Sequence, residues 1–460
     1  MSRSPARRVL IIVQNLPVPL DRRVWLECQA LTAAGYQVSV ICPKGPGDEA
    51  RQEIDGVAIY KYAPAPEARG LLGFVVEFVY SWLRTAWLST VVRRERGFDV
   101  IQACNPPDTY WLLALLWRLR RVRFVFDHHD LNPELFLSRF GHPTTPGARA
   151  QYAGLRWLER MTFRSAHRVI STNESYRQVA ITRGGLPPEH VTVVRSGPDT
   201  SVMRPVYPPP SVRAGADHLL VYLGIMGPQD GVDQILAVMD ELVHRRGRTG
   251  TRAVLLGFGD CLDDLRRECT ARDLDGYVEF TGRADKAMIA DHLSAADVGL
   301  GPDLQTPLND VSTMNKTMEY MAYAVPSVAF DLVETRLSGG DTVLYVPSGD
   351  VLAFTDAVER LLDDDELRLD MALRARRRVA ETLDWQPQSS AYVGVFDSLD
   401  GTTAPTRTPA PRPDPEPPTG RRFVDLDDED ELRRFALERS TPRAITRRSL
   451  RGQPAVTAPA

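Results

Sequence analysis

Short apolar runs of strand length alternate with helix-length segments along residues 9–193, and again along 219–330. That alternation admits few folds other than a parallel sheet covered by helices on both faces. The runs VLIIV (9–13), QVSVICP (37–43), 57–62, 98–103 and 123–127 predict strands. Helix-length stretches at 22–34, 71–92 and 148–166 predict the helices between them. HRVISTNES (167–175) and VTVVRSGPD (191–199) continue the series. The segment RPVYPPP at 204–210 can continue neither a helix nor a central strand, so it divides the chain. A second series follows with LLVYLG, AVLLGFGD, YVEFTGRAD and ADVGLGP. The expectation is two Rossmann-like α/β domains, residues 1–207 and 208–382.

The second series ends in the stretch 308–330, LNDVSTMNKTMEYMAYAVPSVAF with its flanking loop. It reads as loop, helix and strand after the apolar run at 296–302, which makes a βαβ unit. Ser312 and Thr313 are of N-capping type, and Met314, Met318, Met321, Ala322 and Val325 recur at helical spacing until Pro326. The helix therefore starts beyond the carboxyl end of a parallel strand, where ligands bind in doubly wound sheets and unpaired N–H groups favour an anion. Asn315 and Lys316 lie in its first turn. Lys316 and Glu319 are three apart and share a face. One reading is a solvated ion pair. The other is a nucleoside diphosphate site, in which Lys316 meets phosphate and Glu319, an acceptor-only group, receives ribose hydroxyls.

Two further groups of residues carry chemistry. FVFDHHDLNPELF places Asp127, His128, His129, Asp130 and Glu134 just beyond a strand. Adjacent residues of an extended loop point opposite ways, so the cluster converges poorly on a metal, and no metal is assigned. GIMGPQDG, with Gly224 and Gly227, follows the first strand of the second series. Its glycines permit close approach to a phosphate and are equally good turn residues.

The segment NKTMEYMAYAVPSVAF resembles the donor-site motif of GT-B glycosyltransferases of the retaining family 4 type. The pairing of AHRVISTN with VVRSGPD resembles the close of that family's first domain, and DWQPQSSAYVGVFDSL (384–399) resembles its helix that crosses back, here 383–400. The resemblance covers about residues 8–400. It implies transfer of a sugar from a nucleotide diphosphate donor to a hydroxyl, with retention and no metal or other cofactor, the nucleotide sugar being a co-substrate. His129 and Glu319 take catalytic positions. Lys316, Asn315, Gly224, Gly227, Gly257, Gly259, Arg283 and Asp130 take substrate-binding ones. The chain departs from the family pattern at three places: Val311 stands where a first glutamate is usual, Ile225 where an arginine is, and Asp230 where a lysine is. Asp310 is one residue away from the first, and either substitutes for it or does not. Either Lys316, backbone N–H groups and Arg283 hold the diphosphate, or donor binding has been lost and the chain is a scaffold. A sugar-nucleotide epimerase or hydrolase would share the donor site.

Composition narrows the partners. A formal charge of −4 over 460 residues argues against a general nucleic-acid binder. No G-x-G-x-x-G follows the first strand, which disfavours a dinucleotide-dependent oxidoreductase. Five scattered cysteines without C-x-x-C fit reduced thiols in the cytoplasm. Residues 71–92 are apolar but broken by Glu77 and Arg84, a poor membrane span. YWLLALLWRLRRVRF (110–124) runs an apolar helix into Arg118, Arg120, Arg121 and Arg123. It is either a core helix with a basic end or, with Trp82 and Trp87, a surface that docks at the inner face of the membrane toward a lipid-linked acceptor in envelope polysaccharide or glycolipid synthesis. Residues 401–460, rich in Pro and Thr at first, are expected to be a disordered tail with a short helix at 425–439.

Overall fold

The computed structural model describes residues 7–65, 70–400, 416–418, 420–426 and 428–440. The first domain runs β1 (Arg8–Ile12), α1 (Arg22–Ala33), β2 (Gln37–Pro43), β3 (Arg51–Ile54), β4 (Val57–Tyr62), α2 (Gly70–Glu95), β5 (Val100–Cys104) and α3 (Trp111–Arg118). It continues with β6 (Arg123–His128), α4 (Asn132–Phe140), α5 (Pro146–Ser165), β7 (Arg168–Ser171), α6 (Glu174–Thr182) and β8 (Val191–Val193). The sheet order is β3-β4-β2-β1-β5-β6-β7-β8. Its pairings are parallel except β3 with β4, where Ile54 faces Val57 across a tight turn.

The second domain runs β9 (His218–Leu223), α7 (Val232–Asp240), β10 (Thr251–Leu256), α8 (Leu262–Ala271), β11 (Val278–Gly282), α9 (Lys286–Ala295), β12 (Val298–Gly301) and α10 (Asn315–Ala322). Then come β13 (Ser327–Phe330), α11 (Val333–Gly339), β14 (Val343–Val346), α12 (Val351–Asp363) and α13 (Asp365–Arg378). Its parallel sheet has the order β11-β10-β9-β12-β13-β14. β9 and β12 are neighbours although they are far apart in sequence, so the crevice at their carboxyl ends is the switch point at which such sheets bind ligands.

Helix α14 (Trp385–Asp397) returns to the first domain. Trp385, Tyr392, Val393 and Phe396 are buried in one core with α1 and the inner face of β1 and β2. Each large side chain so buried contributes about 1.5–3 kcal/mol. The other face of the first sheet is covered by α2, α3, α5 and α6, through Leu88, Val92, Leu113, Phe163 and Ala180. Beyond α14, residues 420–426 and α15 (Glu429–Ser440) lie on the second domain. Residues 401–415, where a disordered tail is expected, are outside the described residues.

Several local expectations are corrected. Neither Ser312 nor Thr313 caps α10: its N-cap is Met314, with no side-chain bond. Ser312 Oγ instead donates to Leu308 O (2.7 Å) and meets Tyr176 Oη at 3.0 Å, while Thr313 Oγ1 accepts from Asn173 Nδ2 (3.0 Å). Both hydroxyls hold the loop before α10 against α6 of the first domain. The loop after His129 is not extended for long, because Pro133 sits in the first turn of α4.

Candidate active site

The residues singled out by sequence lie on the two walls of the cleft between the domains. On the first wall, α1 carries Arg22, Arg23 and Glu27 at the carboxyl end of the sheet, beside Asp127 and His129 at the end of β6. His129 Nε2 lies 2.8 Å from Asp127 Oδ2 and 2.9 Å from Arg23 Nε. A proton on Nε2 is donated to Asp127; without it the nitrogen accepts from Arg23. Arg23 also donates to Asp127 Oδ1 (3.1 Å), Val194 O (2.9 Å) and Ser196 Oγ (2.8 Å). Beneath, Gln102 Nε2 donates to Glu27 (2.8 Å) and Asp127 (2.9 Å), and Tyr392 of α14 donates to Gln102 Oε1 at 2.5 Å. Burial alone would raise Asp127, but Arg23 and His129 outweigh it and hold the carboxyl well below the usual range. Burial, with the Asp127 charge beside it, pushes Glu27 well up against the pull of Arg23, whose Nε stands 3.0 Å from Glu27 Oε1. None of Arg23, Glu27, Gln102 or Tyr392 was picked out by sequence; Arg23 and Glu27 are an i,i+4 pair on α1, but the bonds that tie them to Gln102, Asp127 and Tyr392 join residues 25 to 290 positions apart and leave no local pattern.

Cys104, Asp127 and His129 bring ligand-type atoms within 4.8 Å of one another. The Arg23 guanidinium already bonds both Asp127 and His129 there, so the carboxylate's countercharge is supplied by the chain itself. Asn105 fixes the loop that follows: its Oδ1 accepts from the N–H groups of His129 (2.7 Å) and Asp130 (3.1 Å), and its Nδ2 donates to Asp130 O (2.7 Å). Burial raises Asp130.

His128 points the other way. It is fully buried between Phe126, Phe163 and Tyr176, its two nitrogens have no hydrogen-bond partner, and burial depresses it to about 3. A histidine that titrates near 6.5 unfolded and near 3 folded takes up protons preferentially in the unfolded chain as pH falls through that window. Its contribution is intact above about pH 6.5 and erodes below it. His128→Phe is therefore expected to flatten the acid limb of stability, with a gain over wild type of about 2–3 kcal/mol at pH 4.5 relative to pH 7. Denaturant unfolding at both pH values checks this; parallel curves for the two proteins contradict it.

On the second wall, α10 is enclosed along most of its length. Lys316 is 7% exposed, its Nζ donates to Asp303 Oδ1 at 2.5 Å and stands 5.2 Å from the Tyr222 ring centroid. Burial would lower Lys316, but Asp303 and Asp230 raise it above the usual lysine value. Asp230 accepts from Gly227 N (2.9 Å) and closes the glycine loop; burial takes it to about 6 against the pull of Lys316. Gly257 is required because a Cβ there would lie 1.8 Å from Gly224 O, so the loops after β9 and β10 run backbone to backbone. At Gly259 a Cβ would meet Met226 O at 2.5 Å. Arg283 is exposed and stacks on Phe258 at 4.4 Å. Ile225 is exposed at the loop tip.

Glu319 reaches across the cleft and pairs with Arg22 Nη1. Arg22, Arg23, Asp21, Ser196, Gly197, Trp385 and Asn315 line a cavity of ≈ 180 Å³ between the walls. Asp310 accepts from Val333 N (3.0 Å) at the start of α11. Val311 packs on the interdomain cluster of Leu131, Tyr176 and Leu308. The position where a first glutamate is usual thus serves domain contact.

Residues 20–197 match the glycosyl transferase 4-like domain and residues 217–364 match glycosyl transferases group 1. The alpha-D-kanosaminyltransferase of Streptomyces kanamyceticus is 30% identical over 320 residues, which cover 67% of this chain and 79% of that protein. A phosphatidyl-myo-inositol mannosyltransferase of Mycolicibacterium smegmatis is 32% identical over 176 residues, 38% of this chain and 43% of its own length. Among solved structures, sucrose-phosphate synthase from Thermosynechococcus elongatus aligns with a TM-score of 0.68 at 18% identity, covering 86% of this chain and 99% of that one. Anabaena HepE in complex with UDP-glucose aligns at 0.61 and 16%, covering 86% and 100%. Fold and site together define a GT-B protein of two facing α/β domains. The chain belongs to the glycosyltransferases with a 4-like amino-terminal and a group 1 carboxyl-terminal domain.

Proposed function

We propose that this glycosyltransferase moves a sugar, with retention of configuration, from a nucleoside diphosphate donor held by the second domain to a hydroxyl acceptor held by the first. The observation that carries the reading is the placement of Lys316, Glu319 and Asn315 on one helix at the switch point, with Glu319 paired across the cleft to Arg22, whose neighbour Arg23 bonds His129. Lys316 meets the diphosphate, with the N–H groups of the α10 amino terminus beside it. Glu319 exchanges Arg22 for the ribose hydroxyls, and Arg283 with Phe258, Gly257 and Gly259 borders the base. His129, with Asp130 in the same loop, lies against the sugar, its proton governed by Asp127 and Arg23. The bonding pair stays on the diphosphate oxygen as the sugar's C–O bond breaks, adding one negative charge to the leaving group, so stabilising that charge is the main task. The sugar nucleotide is a co-substrate, and no resident cofactor is assigned. The structural neighbour HepE has been solved with UDP-glucose, which supports a nucleotide sugar. Release of nucleoside diphosphate that depends on added acceptor tests the reading; equal release without acceptor points to a hydrolase.

A second reading rests on Asp303 and Asp230, which leave Lys316 with two acidic neighbours where Ile225 and Asp230 replace the usual cations. A chain that has lost donor binding would look so. Thermal shift with nucleoside diphosphates separates the two: a Tm unmoved at millimolar ligand favours the scaffold.

The acceptor side carries an apolar surface. Among the described residues no helix is long and apolar enough to cross a membrane. The 26 residues of α2 span about 39 Å, roughly twice the length of β4. Trp82 packs toward the core, whereas Val76, Val79, Leu83 and Trp87 are exposed along one stripe, with Leu112 and Leu116 on α3 and Leu119 just beyond its end. Arg120, Arg121 and Arg123 lie at the amino-terminal edge of the sheet, the edge away from the cleft. This surface suits docking of the domain's flank on an anionic leaflet at the cytoplasmic face, with a lipid-linked acceptor entering the cleft. Flotation is expected to recover the protein with anionic but not neutral vesicles. Arg120→Glu with Arg121→Glu removes that binding; equal binding to both vesicles contradicts the assignment.

A further inference from the structure

The donor-site helix α10 has only eight residues and no side-chain N-cap, so neither length nor capping fixes it along its axis. Its carboxyl end is held instead by two arginines from elsewhere. Arg376 Nη1 of α13 donates to Ala322 O at 3.0 Å. Arg439 of α15 donates from Nη2 to Ala324 O (2.6 Å) and from Nη1 to Tyr323 O (3.4 Å). Those carbonyls close a turn that Ala324 makes in the left-handed region, at φ 54°. Arg439 is 8% exposed and its charge sits at the negative end of the helix dipole. Burial lowers it to about 10, with Asp297 pulling the other way, so it stays charged at neutral pH.

The segment that brings Arg439 there is fastened at several points. Phe423 pairs antiparallel with Val206, through Tyr207 N to Arg422 O (3.0 Å) and Val424 N to Pro205 O (2.9 Å). Val206, the residue it bridges, lies in the linker between the two domains. Arg421 pairs with Asp291 of α9 at 2.7 Å, and Tyr207 donates to Glu431 at 2.8 Å. Val424, Leu432 and Phe435 are buried against Ala324 and Ala372. This segment lies beyond the group 1 match, which ends at residue 364.

We propose that residues 420–426 and 428–440 form a strap that sets the position of α10, and that Arg439 is a positioning residue for sugar transfer. It acts through the carbonyls of Tyr323 and Ala324 on Glu319 and Lys316, one and two turns upstream. Because the same strap grips residues 205–207, it ties the donor helix to the interdomain linker. The inference rests on the reading of α10 as the donor helix.

The test uses the full chain with Arg439→Met and Arg439→Lys, reading amide hydrogen exchange and donor kinetics. A misplacement of 1 Å in a site can cost on the order of 100-fold, so Arg439→Met is expected to raise the donor KM about tenfold with kcat little changed. It also speeds exchange in 315–325 selectively, while the strands of the first domain exchange as before. Arg439→Lys, which keeps the charge, restores much of both. Unchanged exchange in 315–325, or faster exchange spread evenly over both domains, overturns the strap. Selective exchange in a protein whose wild type binds no nucleoside diphosphate overturns the donor-site reading, and with it the role in transfer, while leaving the mechanical link standing.

Discussion

Lys316→Met is expected to weaken nucleoside diphosphate binding roughly 10- to 100-fold while leaving the affinity for the bare nucleoside nearly unchanged. The range follows from a hydrogen bond to a charged group, which contributes about 1.5–3 kcal/mol. The substitution also strands Asp303, 3% exposed, without its cation. Removing one partner of a buried pair costs about 3–5 kcal/mol of stability, enough to confuse a binding result with unfolding. The double variant Lys316→Met with Asp303→Asn separates the two, since it leaves no unpaired buried charge at that pair. It is expected to recover most of the stability and none of the diphosphate selectivity. Calorimetric titration with a nucleoside diphosphate and its nucleoside, beside denaturant unfolding, reads both. Equal losses for the two ligands show that Lys316 does not meet phosphate.

The second large effect is at Glu319. Glu319→Gln keeps the volume and replaces an acceptor-only group with one that also donates, so kcat/KM is expected to fall roughly 10- to 100-fold on the same arithmetic. Stability changes little, because the Arg22 side chain is 37% exposed and water replaces the lost partner. Asp310→Asn is the control: its Oδ1 can still accept from Val333 N, and kinetics within about twofold of wild type are expected. A Glu319→Gln enzyme with normal kcat/KM reduces the residue to a tie between domains. A large loss in Asp310→Asn makes Asp310, after all, the substitute for the missing glutamate.

Much of the architecture is legible in the chain because a parallel strand buried on both faces is a continuous apolar run. VLIIV, QVSVICP and AVLLGFGD could hardly be anything else. Elements that escape notice lack that property. β3, RQEI, is an exposed antiparallel edge strand with alternating burial. β14 and α11 are short pieces whose length is set by packing. α6 could have been found, since Asn173 is a capping residue with Glu174 in the first turn, and its side chain accepts from Tyr176 N. In the site, the motif residues on α10 and His129 are legible as a local pattern. What they touch is not: Lys316 meets Asp303 across the loop after β12, while Glu319 meets Arg22 and His129 meets Arg23 through the folding of distant segments. The three departures from the family pattern also acquire physical meaning only in three dimensions. Val311 packs between domains and Asp230 closes the glycine loop, so two of the three are in use for structure.

The central claim is that the cleft transfers a sugar from a nucleoside diphosphate donor, and one assay meets it directly. The full chain is incubated with each of a panel of nucleoside diphosphate sugars, with and without hydroxyl acceptors including lipid-linked ones, and nucleoside diphosphate is quantified alongside product mass. The account predicts that one donor is consumed, that nucleoside diphosphate appears in step with an acceptor heavier by one sugar unit, and that Glu319→Gln suppresses both. Consumption of no donor across the panel, by a folded protein whose Tm no nucleoside diphosphate raises, contradicts it.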